Sequence, residues 1–332
     1  MRFFSRSISF VRHTHSIMNN WKLVCWFVII CITNIFAQIP AAPEKQEGEG
    51  PFDRLIIRGV TLINSTGAPP IGPIDIVVEK NIIKQVRSVG YPGAPVADKD
   101  RPKAGPNDKV MDCTGLYLLP GFVDMHGHIG GQSQGTPSEY VFKLWLAHGI
   151  TTIRDPASGN GVKWTMEHKA KSADNRITAP RILCYPAFGS GWDKPITTPE
   201  EARQWVRENA KSGAEGIKFF GAAPEIFKAA LDENKKLGLR SACHHAQLEV
   251  GRMNVLATAA AGLTTMEHWY GLPEALFDGQ TLQDYPADYN YNNEQNRFEE
   301  AGRLWKQAAR PGSERWNHVM NELLKLDFTL DP

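Results

Sequence analysis

The chain has 332 residues, a net charge of +1 and an ordinary apolar content. That length buries a large core and holds one big domain beside a small one. Balanced charge without a long Lys/Arg run excludes a nucleic-acid surface, and the composition excludes a disordered chain, leaving a small-molecule pocket on a neutral surface as the expectation.

Lys22 precedes an apolar run over residues 23–37. The run is shorter than the roughly 20 residues that span a bilayer. With the charge ahead of it and small Ala37 at its end, it predicts a signal peptide over 1–37. The protein is then exported, periplasmic or secreted, and keeps no membrane span after cleavage. An uncleaved anchor is the alternative. Ile35 is bulky for the position two before Ala37, so cleavage after Ala41 or Ala42 stays open, and Met18 gives a more compact leader than Met1. Removing the leader leaves Cys113, Cys184 and Cys243, an odd number that predicts free thiols instead of a disulfide framework.

Residues 38–52, rich in Pro, Ala, Glu and Gly, read as an exposed linker. The β-branched runs 55–63, 74–78 and 82–86 predict strands, with Lys80-Asn81 as a hairpin turn in which Asn takes the positive φ. They form a small β module over 53–115. Residues 88–109 are a polar loop.

From Leu118 the pattern alternates between strand and helix. Strands are predicted at 118–126, 149–153, 181–184, 216–220, 239–245, 263–268 and 328–330. Helices are predicted at 141–148, 199–210 (Thr198 as N-cap, Pro199 in the first turn), 224–237 (Gly238 after the end), 253–261, 298–309 and 316–326. Residues 281–297 read as a long polar loop. This alternation predicts an α/β fold, a (β/α)8 TIM-type barrel over 116–332 that stops before its eighth strand.

The first of these strands ends in His126 and His128, separated by Gly127. On an extended chain both imidazoles face one side and reach one metal ion. Lys218, His245 and His268 stand at three further strand ends, which parallel barrel strands present to one face. Neutral imidazoles converging there suit Zn and similar ions.

Residues 118–130, 151–155, 216–218, 245–246 and 266–268 together resemble the metal-dependent amidohydrolase superfamily, nearest its imidazolonepropionase-like and Xaa-Pro dipeptidase (prolidase)-like branch. The resemblance covers residue 54 to about 272. It implies a β-sandwich beside the barrel, completed by a C-terminal segment. It also implies two divalent metals, Zn the first choice. His126 and His128 would bind one ion and His245 and His268 the other, bridged by a CO₂-derived carbamate on Lys218. A metal-held hydroxide would attack a C–N bond in a cyclic amide or small dipeptide-like amide. The family's eighth-strand aspartate has no counterpart, Asp331 belonging to the seventh strand, so the catalytic residue is unknown and the chain reads as an inactive fragment. Self-association is left open.

Plainer readings stand beside these. Lys218 as an ordinary lysine paired with a carboxylate is the alternative to the carbamate. Either His244 or His245 can be the fifth-strand ligand, since adjacent strand residues face opposite ways. The His-Ala pattern favours His245 and sends His244 toward the helices. Asp124 is expected to orient an imidazole, Tyr270 to contact substrate, and Arg154-Asp155 to be a structural loop pair. A mononuclear deaminase of the same superfamily is the enzyme alternative, although Lys218 argues against it. A truncated, non-catalytic metal-binding protein is the alternative from another class.

Overall fold

A computed structural model describes residues 39–268 and 270–331. The predicted signal peptide lies outside them. Five strands form the first sheet: β1 (Arg54–Leu62), β2 (Ile71–Glu79), β3 (Ile82–Ser88), β4 (Lys109–Asp112) and β5 (Tyr117–Leu118). Its order is β3-β2-β1-β4, with β5 also paired to β1. β1, β2 and β3 are antiparallel neighbours, whereas β4 and β5 run parallel to β1. Val60, Ile74 and Ile76 make its core. Buried Asp75 accepts the Gly59 amide at 2.8 Å and pairs with Arg101 at 3.0 Å. In the β2–β3 turn the positive φ falls on Lys80, at 54°, and not on Asn81 as expected.

The second part is a row of parallel strands in chain order. β6 (Phe122–Asp124), β7 (Ile150–Ala157) and β8 (Arg181–Pro186) make one sheet. β9 (Gly216–Phe219), β10 (Arg240–Cys243), β11 (Thr265–Glu267) and β12 (Thr329–Asp331) make the next. A parallel bridge between Ala187 and Lys218 joins the two. In a flat sheet, β7 and β12 would lie about 24 Å apart at ~4.8 Å per strand. Yet Arg154 of β7 reaches Asp331 of β12 at 2.8 Å. The row therefore curls round on itself.

Helices α1 (Ser138–Ala147), α2 (Val162–Ala173), α3 (Pro199–Lys211), α4 (Pro224–Lys236), α5 (Val255–Ala260), α6 (Leu272–Ala275), α7 (Glu294–Gln307) and α8 (Glu314–Lys325) follow or separate these strands. Strand alternation decides what they cover. Phe219, Cys243 and Met266 lie in one register row and pack outward against helices. Cys243 is thereby buried among apolar side chains. Their neighbours Lys218, Ala242 and Thr265 face the other way. Trp205 of α3 and Phe227 of α4 anchor the larger outward core.

Most of residues 39–52 are exposed, in keeping with the linker composition, but residues 41–47 lie against the neighbouring helices. Ala42 is buried with Ile129, Phe142, Ile153, Ile177 and Ile182. Its amide donates to His168 Nε2 at 3.4 Å, and the Lys45 amide donates to the Arg176 carbonyl at 2.7 Å. Residues 41–47 are thus a strap on the helical layer. Among the described residues, no helix is long and apolar enough to cross a membrane.

Candidate metal centre

His126 and His128 follow β6, and local contacts fix the path between them. Asp124 accepts the His126 amide at 2.8 Å, so it orients the backbone of His126 where it was expected to orient a ring. The Gly127 amide donates to the Arg154 carbonyl at 3.0 Å. A β-carbon at position 127 would lie 2.3 Å from Ile153 Cδ1, which is why glycine separates the histidines.

Four imidazoles then lie in a chain. The ring centroids of His128 and His126 are 5.6 Å apart, those of His126 and His268 4.6 Å, and those of His268 and His244 5.0 Å. His268 follows Glu267, and strict alternation would turn it outward beside Met266. Its backbone is left-handed instead, with φ of 58°, which brings the ring into the cluster. Such a conformation costs a non-glycine residue about 1–3 kcal/mol, strain that persists because the surroundings enforce it.

At the fifth strand end the structure differs from the favoured reading. Lys218 pairs with Ala242, so His244, two residues on, shares the inward face with Lys218. His245 points away, its Nε2 against Thr258 Oγ1 at 2.8 Å and its ring against the backbone of Gly271. The rings that meet are therefore those of His126, His128, His244 and His268, without His245. Tyr270 stacks edge-on to His244 at 5.6 Å and packs on Phe277, Ala301 and Leu304.

Sequence reasoning passed over a buried charged group at the base of the cluster. Glu267 is fully buried and meets His126 Nδ1, Arg154 Nη2 at 2.5 Å and Lys218 Nζ at 3.4 Å. Arg154 also holds Asp331 at 2.8 Å and donates its Nε to the Met125 carbonyl. The signal for Glu267 was present, since it alternates with outward-facing Met266. Ligand atoms of His126, Glu267 and Asp331 lie within 4.8 Å of one another. The Arg154 guanidinium already supplies a cation to both carboxylates.

Burial sets the protonation states. It drives His244 and His268 down to about 4, with neighbouring cationic groups adding to the effect, so both are neutral at pH 7 and offer lone pairs. Burial also lowers Lys218 to about 8 against the opposing pull of Glu267. The Lys218 amine makes no hydrogen bond of good geometry. Burial raises Asp155, and His128, 3.6 Å away, opposes that rise. Glu267 is raised by burial too, but its bonds to His126, Lys218 and Arg154 prevail and hold it below the usual range. Neutral imidazole nitrogens and carboxylate oxygens are donor types a divalent ion such as zinc accepts.

No family model matches the chain. It is 34% identical to adenine deaminase 2 of Rhizobium etli over 148 residues, 42% of this chain and 22% of that protein. To dihydropyrimidinase of Rattus norvegicus it is 25% identical over 248 residues, 70% of this chain and 44% of that protein. These relatives fit the metal-dependent amidohydrolase superfamily that the sequence motifs resemble. The chain spans less than half the length of these curated relatives. The structure of molinate hydrolase, at 16% identity, covers 84% of this chain and 72% of its own with a TM-score of 0.52, a likeness of fold. The curled strand row is what gathers the four imidazoles and Lys218.

Proposed function

We propose that this amidohydrolase chain is the metal-holding part of a hydrolase that breaks a C–N bond in a small molecule. The observation that carries the reading is the meeting of His126, His128, His244 and His268 beside Lys218, whose buried amine has Glu267 at 3.4 Å as its ion-pair partner. In this reading the strand row is part of a (β/α)8 barrel, the five-stranded sheet is part of a sandwich, and the apolar run 23–37 directs export.

His126 and His128 would hold one divalent ion, and His244 and His268 a second. Bound ions supply Lewis acidity toward a carbonyl group and toward water. The low affinity of Lys218 for its proton leaves part of it as the free amine near pH 8. That amine can add CO₂, forming an N–C bond with loss of one proton, and the product is an anionic oxygen donor facing the histidines. Tyr270, beside His244, would border the substrate, a cyclic amide or small dipeptide-like amide. Removal of an amino group from a ring is the second reading, favoured by the adenine deaminases among the relatives.

Elemental analysis of the chain purified with bicarbonate tests the site. About two equivalents of metal, falling to about one or fewer in Lys218→Ala, is the expected result. A folded chain holding no metal overturns the proposal.

A further inference from the structure

Arg154 and Asp155, adjacent on β7, do not look like a structural loop pair once their contacts are followed. Arg154 is 1% exposed, and a buried guanidinium is costly unless every arm is used. Its Nε takes the carbonyl of Met125, the residue before His126, and its Nη2 takes Glu267 Oε1. The other oxygen of Glu267 lies on His126 Nδ1. Asp155, 2% exposed, sets one carboxylate oxygen 3.6 Å from His128 Nδ1. Its second oxygen has no hydrogen-bond partner, so the carboxylate is not there to complete a network of its own.

We infer that Arg154 and Asp155 are positioning residues that aim the two histidines: Asp155 acts directly on His128, and Arg154 acts on His126 through Glu267 and the Met125 carbonyl. An ionised carboxylate accepts a hydrogen bond and attracts an N–H dipole, so Glu267 holds the His126 proton on Nδ1 and the charge of Asp155, 3.6 Å away, draws the His128 proton to Nδ1, leaving each Nε2 lone pair for the cluster. The planar fork of arginine is needed because one side chain must grip a carbonyl and a carboxylate together, which a lysine ammonium cannot do at fixed angles. This rests on the metal-holding role proposed for His126 and His128.

The test uses the whole chain with ¹⁵N-labelled histidine, assigned with His126→Gln and His128→Gln. In the metal-free wild type, long-range ¹H–¹⁵N spectra are expected to show both rings as the Nδ1–H tautomer. Asp155→Asn, whose amide can donate where the carboxylate only accepts, releases His128 alone. Glu267→Gln releases His126 alone. Arg154→Lys loosens His126 while its retained charge preserves the fold. Zinc affinity, read by competition with a chromophoric chelator, falls tenfold or more in each variant. Either ring found as the Nε2–H tautomer in the wild type overturns the inference without need of any variant. So does wild-type zinc affinity in both Asp155→Asn and Glu267→Gln. A wild type that binds no zinc removes the metal-holding proposal, and the tautomers still decide the aiming of the rings.

Discussion

Gly127 has no room for a side chain, because Ile153 Cδ1 and Cγ1 would lie 2.3 and 2.6 Å from an added β-carbon and Trp145 Cζ2 3.3 Å. The expected cost of Gly127→Ala is about 1–3 kcal/mol in chemical denaturation, the usual range for overpacking. Metal content should fall with it, since the added methyl pushes His126 and His128 apart. His126→Ala makes the complementary case. It removes one donor from a ring that is a quarter exposed, and the expected outcome is loss of metal by elemental analysis with an unchanged far-UV spectrum. The contrast between these two neighbours separates a residue that shapes the loop from one that serves the ion. Which residues converge was partly legible in the sequence. The His-x-His pair, Lys218 and His268 could be picked out because they stand at strand ends. Glu267 was equally legible by alternation, but a lone glutamate beside a histidine carries no spacing motif to single it out. His268 would have failed a strict alternation test, since its inward turn depends on a left-handed backbone that no residue but glycine advertises.

Element boundaries were most legible where a cap announces them. Thr198 accepts the Glu201 amide at 3.2 Å, and Glu201 reaches back to the Thr198 amide at 3.1 Å, so both ends of the capping box are closed. Thr198→Ala should therefore destabilise the chain by about 1 kcal/mol in urea titration. Helix α2 was missed because Val162–Ala173 carries charged and small residues without a strong apolar stripe. What holds it is tertiary: Trp164 stacks on His168 at 3.7 Å, and Ala42 covers that histidine. Strand β3 shows the converse. Its β-branched residues predicted a strand, and all seven positions are exposed, Ile83 at 64%. Ile83→Lys is expected to leave the unfolding midpoint unchanged and to raise the concentration at which the chain aggregates, because charge on an edge strand opposes edge-to-edge pairing.

Across the molecule, buried neutral histidines make stability depend on pH. Burial pulls His245 to about 3 and also lowers His168 from its usual 6.5, and neither is among the proposed ligands. The unfolded chain binds protons at these sites more readily than the folded one. Their contribution is therefore complete above about pH 6.5 and is lost as the pH falls from there toward 3. The urea midpoint of the metal-free protein should drop between pH 6.5 and 4. His245→Gln should flatten that drop, since its amide can still meet Thr258 and carries no titration. The parallel row of strands was legible from the alternation of strand and helix, but its curl depends on Arg154, Glu267 and Asp331 meeting across it. Pairing among side chains so distant in sequence leaves no local mark.

The strap over residues 41–47 puts a piece of the core ahead of the first strand. Ala42 fills a place among Phe142, Ile153 and Ile182, yet it is tied to β1 only by the exposed stretch through Gly48 and Gly50. A cut in that stretch would not release the strap. It would convert a tether into a bound peptide, held by Ala42, Lys45 and the Glu44–Arg176 pair. A chain trimmed to begin at Phe52 should accordingly be rescued in trans, regaining lost stability when a synthetic peptide of residues 39–48 is added back.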